Sequence, residues 1–288
     1  MILVTVIIPT YNRPELLNKA VSSVLDQNIE EIEILIIDDC SDISNEIAIR
    51  KIVETNERIR CIRNNKNLGV AESRNIGILN AQGDYLLFLD DDDQLLPEMI
   101  DQSLQVLSTQ ELDAVSCRSS VVSEIIVKRK VDRYNRQQKE EFELYPMDIH
   151  PMEHIFLFVP QIHTFLIRRS SIGETRFNKE LKYGEDIFFW ISLAAKGCRF
   201  QKSEFIGCMY HLHDDSSSLK IAFNEKIKFY RTIHSSFQSN KRILNIANIK
   251  RAYLFLKRSK KEFIMYFLRA ISSPSLFFQH LKYYIKSL

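Results

Sequence analysis

The stretch "GVAESRNIGILNAQGDYLLFLDDDD", residues 69–93, decides the fold, because it places a helix, a buried strand and an acidic cluster in immediate succession. Residues 69–81 carry apolar side chains at helical spacing, and Gly83 is expected to end this helix at its C′ position. Residues 84–89 form a short apolar run that predicts a buried strand. The carboxylates of Asp90–Asp93 follow directly, so they belong to the carboxyl end of that strand.

Strands and helices alternate along the preceding part of the chain in the same way. Asn12 predicts the start of one helix, because Pro14 and Glu15 follow it in the positions of a helical first turn. Further helices are expected around 47–53 and from Pro97 onwards. Because strands that alternate with helices join parallel neighbours, we expect an α/β fold with a doubly wound, mostly parallel sheet. The other predicted strands are 3–8, 31–38, 58–63, 112–118 and 163–169, and another helix is predicted at 183–197.

Two acidic clusters follow predicted strands. Asp38 and Asp39 end the second strand, and Asp90–Asp93 end the fourth. Ligands of doubly wound sheets bind outside the carboxyl ends of the strands, so the two clusters are expected to face one crevice. The alternative for each cluster is a solvated turn, since Asp favours turns.

The phosphate-binding signatures of common nucleotide sites are missing. The segment after the first strand reads "PTYNRP", residues 9–14, where a dinucleotide site would carry GxGxxG, and no GxxxxGK[ST] occurs. A nucleotide would therefore be held differently, most simply through a divalent cation. Asp90 and Asp92 offer the carboxylate oxygens that Mg²⁺ or Mn²⁺ prefers, and such a cation would offset the repulsion within the cluster.

Composition and charge restrict the class of protein. The chain has 288 residues, of which 45% are apolar and 26% charged, which suits one large domain or one domain with an appended piece. Its five Cys include no CxxC pair and read as reduced thiols of a cytosolic protein. The amino-terminal strand shows no signal-peptide pattern, and no segment reaches the roughly 20 uncharged apolar residues of a membrane span.

The formal net charge of +2 conceals an asymmetry. Residues 250–288 hold nine Lys and Arg against one acid, a net of +8, so residues 1–249 carry about −6, from 30 basic and 36 acidic side chains. This basic segment is also rich in aromatic residues and predicts a membrane-surface anchor. A helical hairpin that packs on the core with a basic outer face is the alternative. Nucleic acid is a weaker partner, since the acidic remainder would repel phosphate.

Four motifs in order give the sequence its resemblance to a known family. They are "VTVIIPTYNRPELLNKAVSSVLDQ", "ILIIDDCSD", "NLGVAESRNIGILNAQGDYLLFLDDDD" and "GEDIFFW". Together they resemble the family 2 glycosyltransferases of GT-A fold, especially bacterial enzymes of capsule, O-antigen and lipooligosaccharide synthesis. The resemblance covers residues 2–218. It implies a glycosyltransferase domain at 1–218, with a nucleotide-sugar half at 1–118 and an acceptor half at 119–218, and a helical C-terminal extension at 219–288.

The resemblance implies a nucleotide site at the strand ends. Pro9 and Tyr11 match the turn that cradles the uracil or other base, and Asp39 matches the acid that bonds the edge of the base. Arg74 matches a basic residue near the diphosphate and base. Asp91 would lie near the ribose.

The resemblance also implies a metal site and a base. Asp90–Asp92 match the DxD motif, in which Asp92 would hold Mg²⁺ or Mn²⁺ with Asp90 beside it. His213 would lie on the metal or diphosphate side, and His211 replaces the family's more usual Arg. Asp186, in the "ED" motif, matches the general base, whose alternative is a carboxylate that only complements the helix dipole. Glu185 is expected to be structural or to face the acceptor.

These roles imply an inverting transfer that forms a β linkage from an α-linked donor, with UDP as the expected nucleotide. The acceptor would be a saccharide or a lipid-linked saccharide, the segment 130–160 its lid, and the location the inner face of the cytoplasmic membrane. A phosphohydrolase is disfavoured, because its DxD nucleophile would follow the first strand. A non-catalytic, sugar-nucleotide-binding subunit is the remaining alternative, and the intact Asp92 and Asp186 argue against it.

Overall fold

The computed structural model describes residues 2–123, 131–132, 135, 161–211, 221–255, 259 and 264–268. Within these residues the strands form a single mixed sheet. The strands are β1 Val4–Thr10, β2 Ile32–Asp38, β3 Ile59–Arg63, β4 Tyr85–Phe88, β5 Gln94–Leu95, β6 Ala114–Val122, β7 Phe165–Arg168 and β8 Phe200–His211. The helices are α1 Pro14–Leu25, α2 Ile43–Val53, α3 Val70–Asn80, α4 Met99–Thr109, α5 Arg169–Ile172, α6 Glu185–Ala195, α7 Phe223–Ser236 and α8 Lys241–Phe255, with a 3₁₀ turn at Ile162–Thr164.

The sheet confirms the predicted α/β, mostly parallel architecture. Its strand order is β3-β2-β1-β4-β7-β6-β8-β5. Strands β3, β2, β1 and β4 run parallel, β7 is antiparallel to both its neighbours, and β5 is antiparallel to β8. Thr10 pairs with Asp38, and Ile7 pairs with Phe88. The carboxyl ends of β1, β2 and β4 therefore meet at one edge, as the positions of the two acidic clusters predict.

Strands β1 and β2 are mainly apolar, apart from Thr5, Glu33 and the polar residue that ends each strand, because both faces of the sheet are covered. Every residue of these two strands is buried. Helices α1, α2 and α4 contribute to the hydrophobic core on one side, and α3, α6, α7 and α8 to the core on the other. A strand covered on both faces loses the alternation of a half-exposed strand.

Two local predictions were wrong. Asn12 does not cap α1, because it adopts φ +58° and its side-chain oxygen instead accepts from the amide of Asp42 at 2.8 Å. The helix begins at Pro14, so its preset φ rather than a polar cap marks the start. Gly83 does not end α3 in a left-handed turn, because the helix stops at Asn80. A Cβ at Gly83 would lie 2.5 Å from the amide nitrogen of Thr5, so the glycine permits close approach to β1.

The C-terminal extension shares the main core. Phe229 and Ile233 of α7, with Ile246 of α8, pack in the same cluster as Phe189 and Trp190 of α6. These residues precede the basic segment 250–288, of which Leu254 packs against the same cluster. Residues 269–288 and most of the predicted lid at 130–160 lie outside the described residues. Within the described ranges, none of the helices has the length and apolar character needed to cross a bilayer.

Candidate active site

The four acids after β4 divide into a buried pair and a partly exposed pair. Asp91 and Asp93 are each 1% exposed. The side chain of Asp90 is 32% exposed and that of Asp92 is 18% exposed. Side chains of successive residues in this turn therefore point alternately into the protein and towards the crevice. The two outward carboxylates are the ones available to a ligand.

Arg13 compensates the middle of this acidic turn. Its Nη2 lies 2.6 Å from an oxygen of Asp91, and its Nη1 donates to Asp92 at 3.0 Å. Thr10 donates a further hydrogen bond to Asp91 at 2.7 Å. Burial raises the pKa of Asp91 to about 7, although Arg13 and Thr10 act to lower it. Arg13 was missed by the sequence reasoning, although its position directly after the first strand was a usable signal.

Arg74 joins the acidic turn to the beginning of α6. Its Nη2 lies 2.6 Å from Asp90 and its Nη1 lies 3.1 Å from Glu185, while the side chain is 3% exposed. The guanidinium carbon also lies 5.4 Å from the ring centre of Phe177. The pKa of Asp90 lies below its usual range, because Arg74 outweighs the opposing effect of burial. The described ion pairs of Arg74 thus join it to acidic side chains, whereas the resemblance implies a position near the diphosphate and base.

Asp93 and His163 connect the turn to β8. The Nδ1 atom of His163 lies 2.8 Å from one oxygen of Asp93, and the other oxygen accepts from the amide of His211 at 3.0 Å. Burial lowers the pKa of His163, but the negative charge of Asp93 raises it by more. The chain leaves β8 here, and the predicted ligand His213 lies outside the described residues. No local pattern marks His163, since its partner is 70 residues away.

Asp39 holds the turn that precedes α3. One carboxylate oxygen accepts from the amide of Leu68 and from the side chain of Asn64, both at 2.8 Å. The other oxygen accepts from the amide of Gly69 at 2.7 Å. An ionised carboxylate has about four acceptor positions, so roughly one remains for a ligand. Asp39 can therefore shape this turn and still accept from the edge of a base.

Tyr11 supplies an open aromatic surface next to the paired ends of β1 and β2. Pro9 is buried within β1, and Tyr11, just beyond the strand, is 45% exposed. The amide of Asp39 donates to the carbonyl of Thr10 at 2.9 Å, which fixes the ends of β1 and β2 together. An exposed aromatic ring at this edge of the sheet is suited to stack on a heteroaromatic base.

Asp186 lies in the first turn of α6. One of its oxygens accepts from the amide of Ile187 at 2.7 Å. Burial raises its pKa to about 7, the charge of neighbouring Glu185 adds to this, and the charge of Arg74 opposes it. A carboxylate of this pKa can exist as a base near neutral pH and still bind a proton. The contacts of Arg74 with Asp90 and Glu185 bring this helix to the same edge as the acidic turn.

The carboxylates of the acidic turn suit a divalent cation whose remaining ligands come from a bound phosphate and water. Among the described residues, no group of three or more His, Cys, Asp and Glu side chains is arranged around a common metal position. Asp90 and Asp92 nevertheless present partly exposed carboxylates. Mg²⁺ commonly takes one or two protein carboxylates and completes its shell with substrate phosphate and water. The donor set therefore suits Mg²⁺ or Mn²⁺ shared with a diphosphate.

The sequence matches one family of known proteins and several curated relatives. Residues 5–175 match the family described as glycosyl transferase family 2. A putative teichuronic acid biosynthesis glycosyltransferase, TuaG of Bacillus subtilis, is 25% identical over 83% of this chain and 82% of its own length. The UDP-Glc:alpha-D-GlcNAc-diphosphoundecaprenol beta-1,3-glucosyltransferase WfaP of Escherichia coli is 25% identical over 79% of this chain and 84% of its own.

Solved structures share the fold. TarS of S. aureus, residues 1–349 in complex with UDP-GlcNAc, has a TM-score of 0.68 at 17% identity and covers 92% of this chain and 79% of its own. The mannosyltransferase PcManGT of Pyrobaculum calidifontis, in complex with GDP-Man and Mn²⁺, has a TM-score of 0.60 at 16% identity, covering 99% and 85%. These likenesses confirm the GT-A fold predicted from the motifs.

Proposed function

The chain belongs to glycosyl transferase family 2, and we propose that it is an inverting, metal-dependent enzyme with Asp186 as its general base. The donor is a nucleotide sugar, with UDP as the expected nucleotide. The acceptor is a saccharide or a lipid-linked saccharide, and the product has a β linkage. The observation that carries this proposal is the pair of ion pairs that Arg74 makes with Asp90 and Glu185. They hold the acidic turn and the helix that bears Asp186 at one edge of the sheet.

The donor is proposed to bind across the ends of β1, β2 and β4. Tyr11 stacks on the base, and the remaining acceptor position of Asp39 bonds the edge of the base. Asp91 lies near the ribose without bonding it, since its buried carboxylate is held by Thr10 and Arg13. The complexes of TarS with UDP-GlcNAc and of PcManGT with GDP-Man and Mn²⁺ support a nucleotide-sugar donor. Asp92, with Asp90 beside it and His213 on the diphosphate side, would hold a Mg²⁺ or Mn²⁺ ion that stabilises the charge of the departing diphosphate.

The transfer needs a single protein base. A hydroxyl of the acceptor attacks the anomeric carbon on the side opposite the nucleoside diphosphate, and Asp186 takes the hydroxyl proton as the new bond forms. The bond from the anomeric carbon to the diphosphate oxygen breaks, and the electron pair leaves with the diphosphate. One displacement inverts the anomeric centre, so an α-linked donor gives a β-linked product. The raised pKa of Asp186, about 7, matches this role.

A membrane-borne acceptor is supported by the basic extension. Ile264, Met265 and Leu268 are exposed, and residues 250–288 carry a net charge of +8, from nine basic residues and one acid. We propose that residues 219–288 place the catalytic domain, residues 1–218, on the inner face of the cytoplasmic membrane. Vesicles with phosphatidylglycerol should sediment the protein and neutral vesicles should not. Equal sedimentation, or none with either, contradicts the membrane part of the proposal.

The activity is tested by release of nucleoside diphosphate from UDP-, GDP- and dTDP-sugars with Mn²⁺ or Mg²⁺. Asp186→Asn and the matched surface variant Asp101→Asn are measured beside the wild type. Metal-dependent release from one donor, lost in Asp186→Asn and kept in Asp101→Asn, is the expected result. Absence of both release and calorimetric binding for every donor would favour the non-catalytic, sugar-nucleotide-binding alternative.

A further inference from the structure

We propose that α7 of the C-terminal extension positions the catalytic helix α6, and that Phe229 is the positioning residue for Asp186. The proposal rests on the proposed function of Asp186. It assigns the extension a part in the site, in addition to any contact with a membrane. The segment concerned, residues 178–186, precedes and begins α6, and lies beyond the residues that match the family.

The ring of Phe229 lies against the backbone at the point where α6 begins. Gly184 caps this helix at φ +71°, and a Cβ built on it would lie 2.8 Å from two ring carbons of Phe229. Phe229 is 1% exposed, so its ring is fixed in the core. Asp186 follows Gly184 by two residues. Glycine is thus needed here both for the left-handed backbone and for the close approach of the ring.

Tyr183 extends this contact towards Asp186. Its ring meets Phe229 edge-on, with the ring centres 5.6 Å apart. The ammonium of Lys226, also on α7, lies 5.5 Å from the centre of the same tyrosine ring. Burial raises the pKa of Tyr183, and the negative charge of Asp186 raises it further. The tyrosine is therefore in contact with α7 and within electrostatic reach of the base.

The same helix also holds the earlier part of the segment. Lys228 donates a hydrogen bond to the carbonyl of Glu180. The ring of Phe188, one turn into α6, lies 5.6 Å from the ring of Phe237, which follows α7. Contacts from α7 therefore lie before and at the start of α6, and the residue that follows α7 contacts α6 one turn later.

Asp186 is thus placed from two directions. Arg74 bonds Glu185 from the side of the acidic turn, and Phe229 supports Gly184 from the side of the extension. The charged groups that act on Asp186 are Glu185, Arg74 and Asp90, and Tyr183 is the neighbour on the side of α7. Removal of the Phe229 ring would leave space beside Gly184. Water could then reach the first turn of α6, and the turn could shift.

The experiment measures the pKa of Asp186 without any substrate. Unfolding free energies of the wild type and of Asp186→Asn are compared from pH 5 to pH 9, and the pH dependence of their difference gives the folded-state pKa. The pair is then measured again with Phe229→Ala. Ile246→Ala is the matched control, because Ile246 is fully buried in the same cluster but belongs to α8. Phe229→Leu is measured as a milder variant that is expected to fold.

Hydration of the first turn should move the pKa of Asp186 towards its ordinary value. We expect a fall of about one unit in Phe229→Ala, a smaller fall in Phe229→Leu, and none in Ile246→Ala, which only loses stability. The same pKa in Phe229→Leu as in the wild type, or an equal fall in Ile246→Ala, would overturn the proposal. The result does not depend on turnover, so a failure to find any donor would count against the proposed function alone.

Kinetics give a second readout once a donor is turned over. With that donor and Mn²⁺, Phe229→Ala should lower kcat about tenfold while the KM for the donor stays within about twofold, since the contacts of Tyr11 and Asp39 are unchanged. Phe229→Leu should recover most of this loss. A rise in the donor KM with unchanged kcat would instead place the effect of Phe229 in donor binding and contradict the proposal.

Discussion

Two carboxylates on either side of Arg74 differ in their protonation behaviour. Asp90 receives a hydrogen bond from Arg74 at 2.6 Å and has a pKa below its usual range. Asp186 is affected by Arg74 only through its charge, while burial and the neighbouring Glu185 raise its pKa to about 7. One buried cation thus favours the ionised form of one carboxylate and leaves the second, the proposed base, able to exchange a proton. Environments that separate two such pKa values identify acid–base roles.

The largest effect, on the rate of transfer, is expected when the proposed base Asp186 is replaced. Asp186→Asn should lower the rate of transfer to the acceptor by about 10²–10⁴-fold, because the amide cannot accept the hydroxyl proton. The Kd for UDP, measured by calorimetry, should stay unchanged, since the proposed donor contacts lie on β1, β2 and the acidic turn. Asp101→Asn serves as the control. A variant that keeps more than a tenth of the wild-type rate would remove the difference between the two carboxylates.

Removal of the shared cation should have the next largest effect. Arg74→Gln leaves Asp90 and Glu185 without their buried partner, so we expect a loss of about 3–5 kcal/mol in the free energy of unfolding. Arg50→Gln is the control, because this exposed i,i+4 pair with Glu46 should contribute at most about 0.5 kcal/mol. Chemical unfolding in urea measures both. Equal losses in the two variants would show that Arg74 does not join the turn to α6.

The two carboxylates should also differ in their pH dependence. Transfer should fall as the pH drops below about 7, where Asp186 gains a proton, and Asp90 should stay ionised throughout. The effect on stability has the opposite sense, because a raised carboxyl pKa means that the folded state loses stability as the pH rises from 3.8 to about 7. Asp186→Asn should therefore raise the melting temperature more at pH 8 than at pH 5. Equal increments at both values would show that the pKa is not raised.

The position of the acidic turn can be predicted from the sequence far better than the basic side chains that pair with it. Strands β1, β2 and β4 are mainly apolar segments, and parallel topology brings the acids that follow β2 and β4 to one edge of the sheet. Local pattern does not reveal that His163 reaches Asp93, or that Arg74 turns inward to Glu185, because these contacts depend on how distant elements pack. Gly83 shows the same limit, since its role is set by the backbone of β1 rather than by the helix before it.

The smallest expected effect concerns Arg13, which is 43% exposed where it meets Asp91 and Asp92. Arg13→Gln removes a positive charge that competes for the Asp92 carboxylate. An exposed pair is worth up to about 1 kcal/mol, so Mn²⁺ should bind up to about fivefold more tightly to the nucleotide-free variant. Calorimetry with Mn²⁺ alone measures this, with Arg50→Gln as the control. Weaker Mn²⁺ binding in Arg13→Gln would show that Arg13 organises the acidic turn rather than competing with the cation, and the turn would then resemble the buried bridge at Arg74.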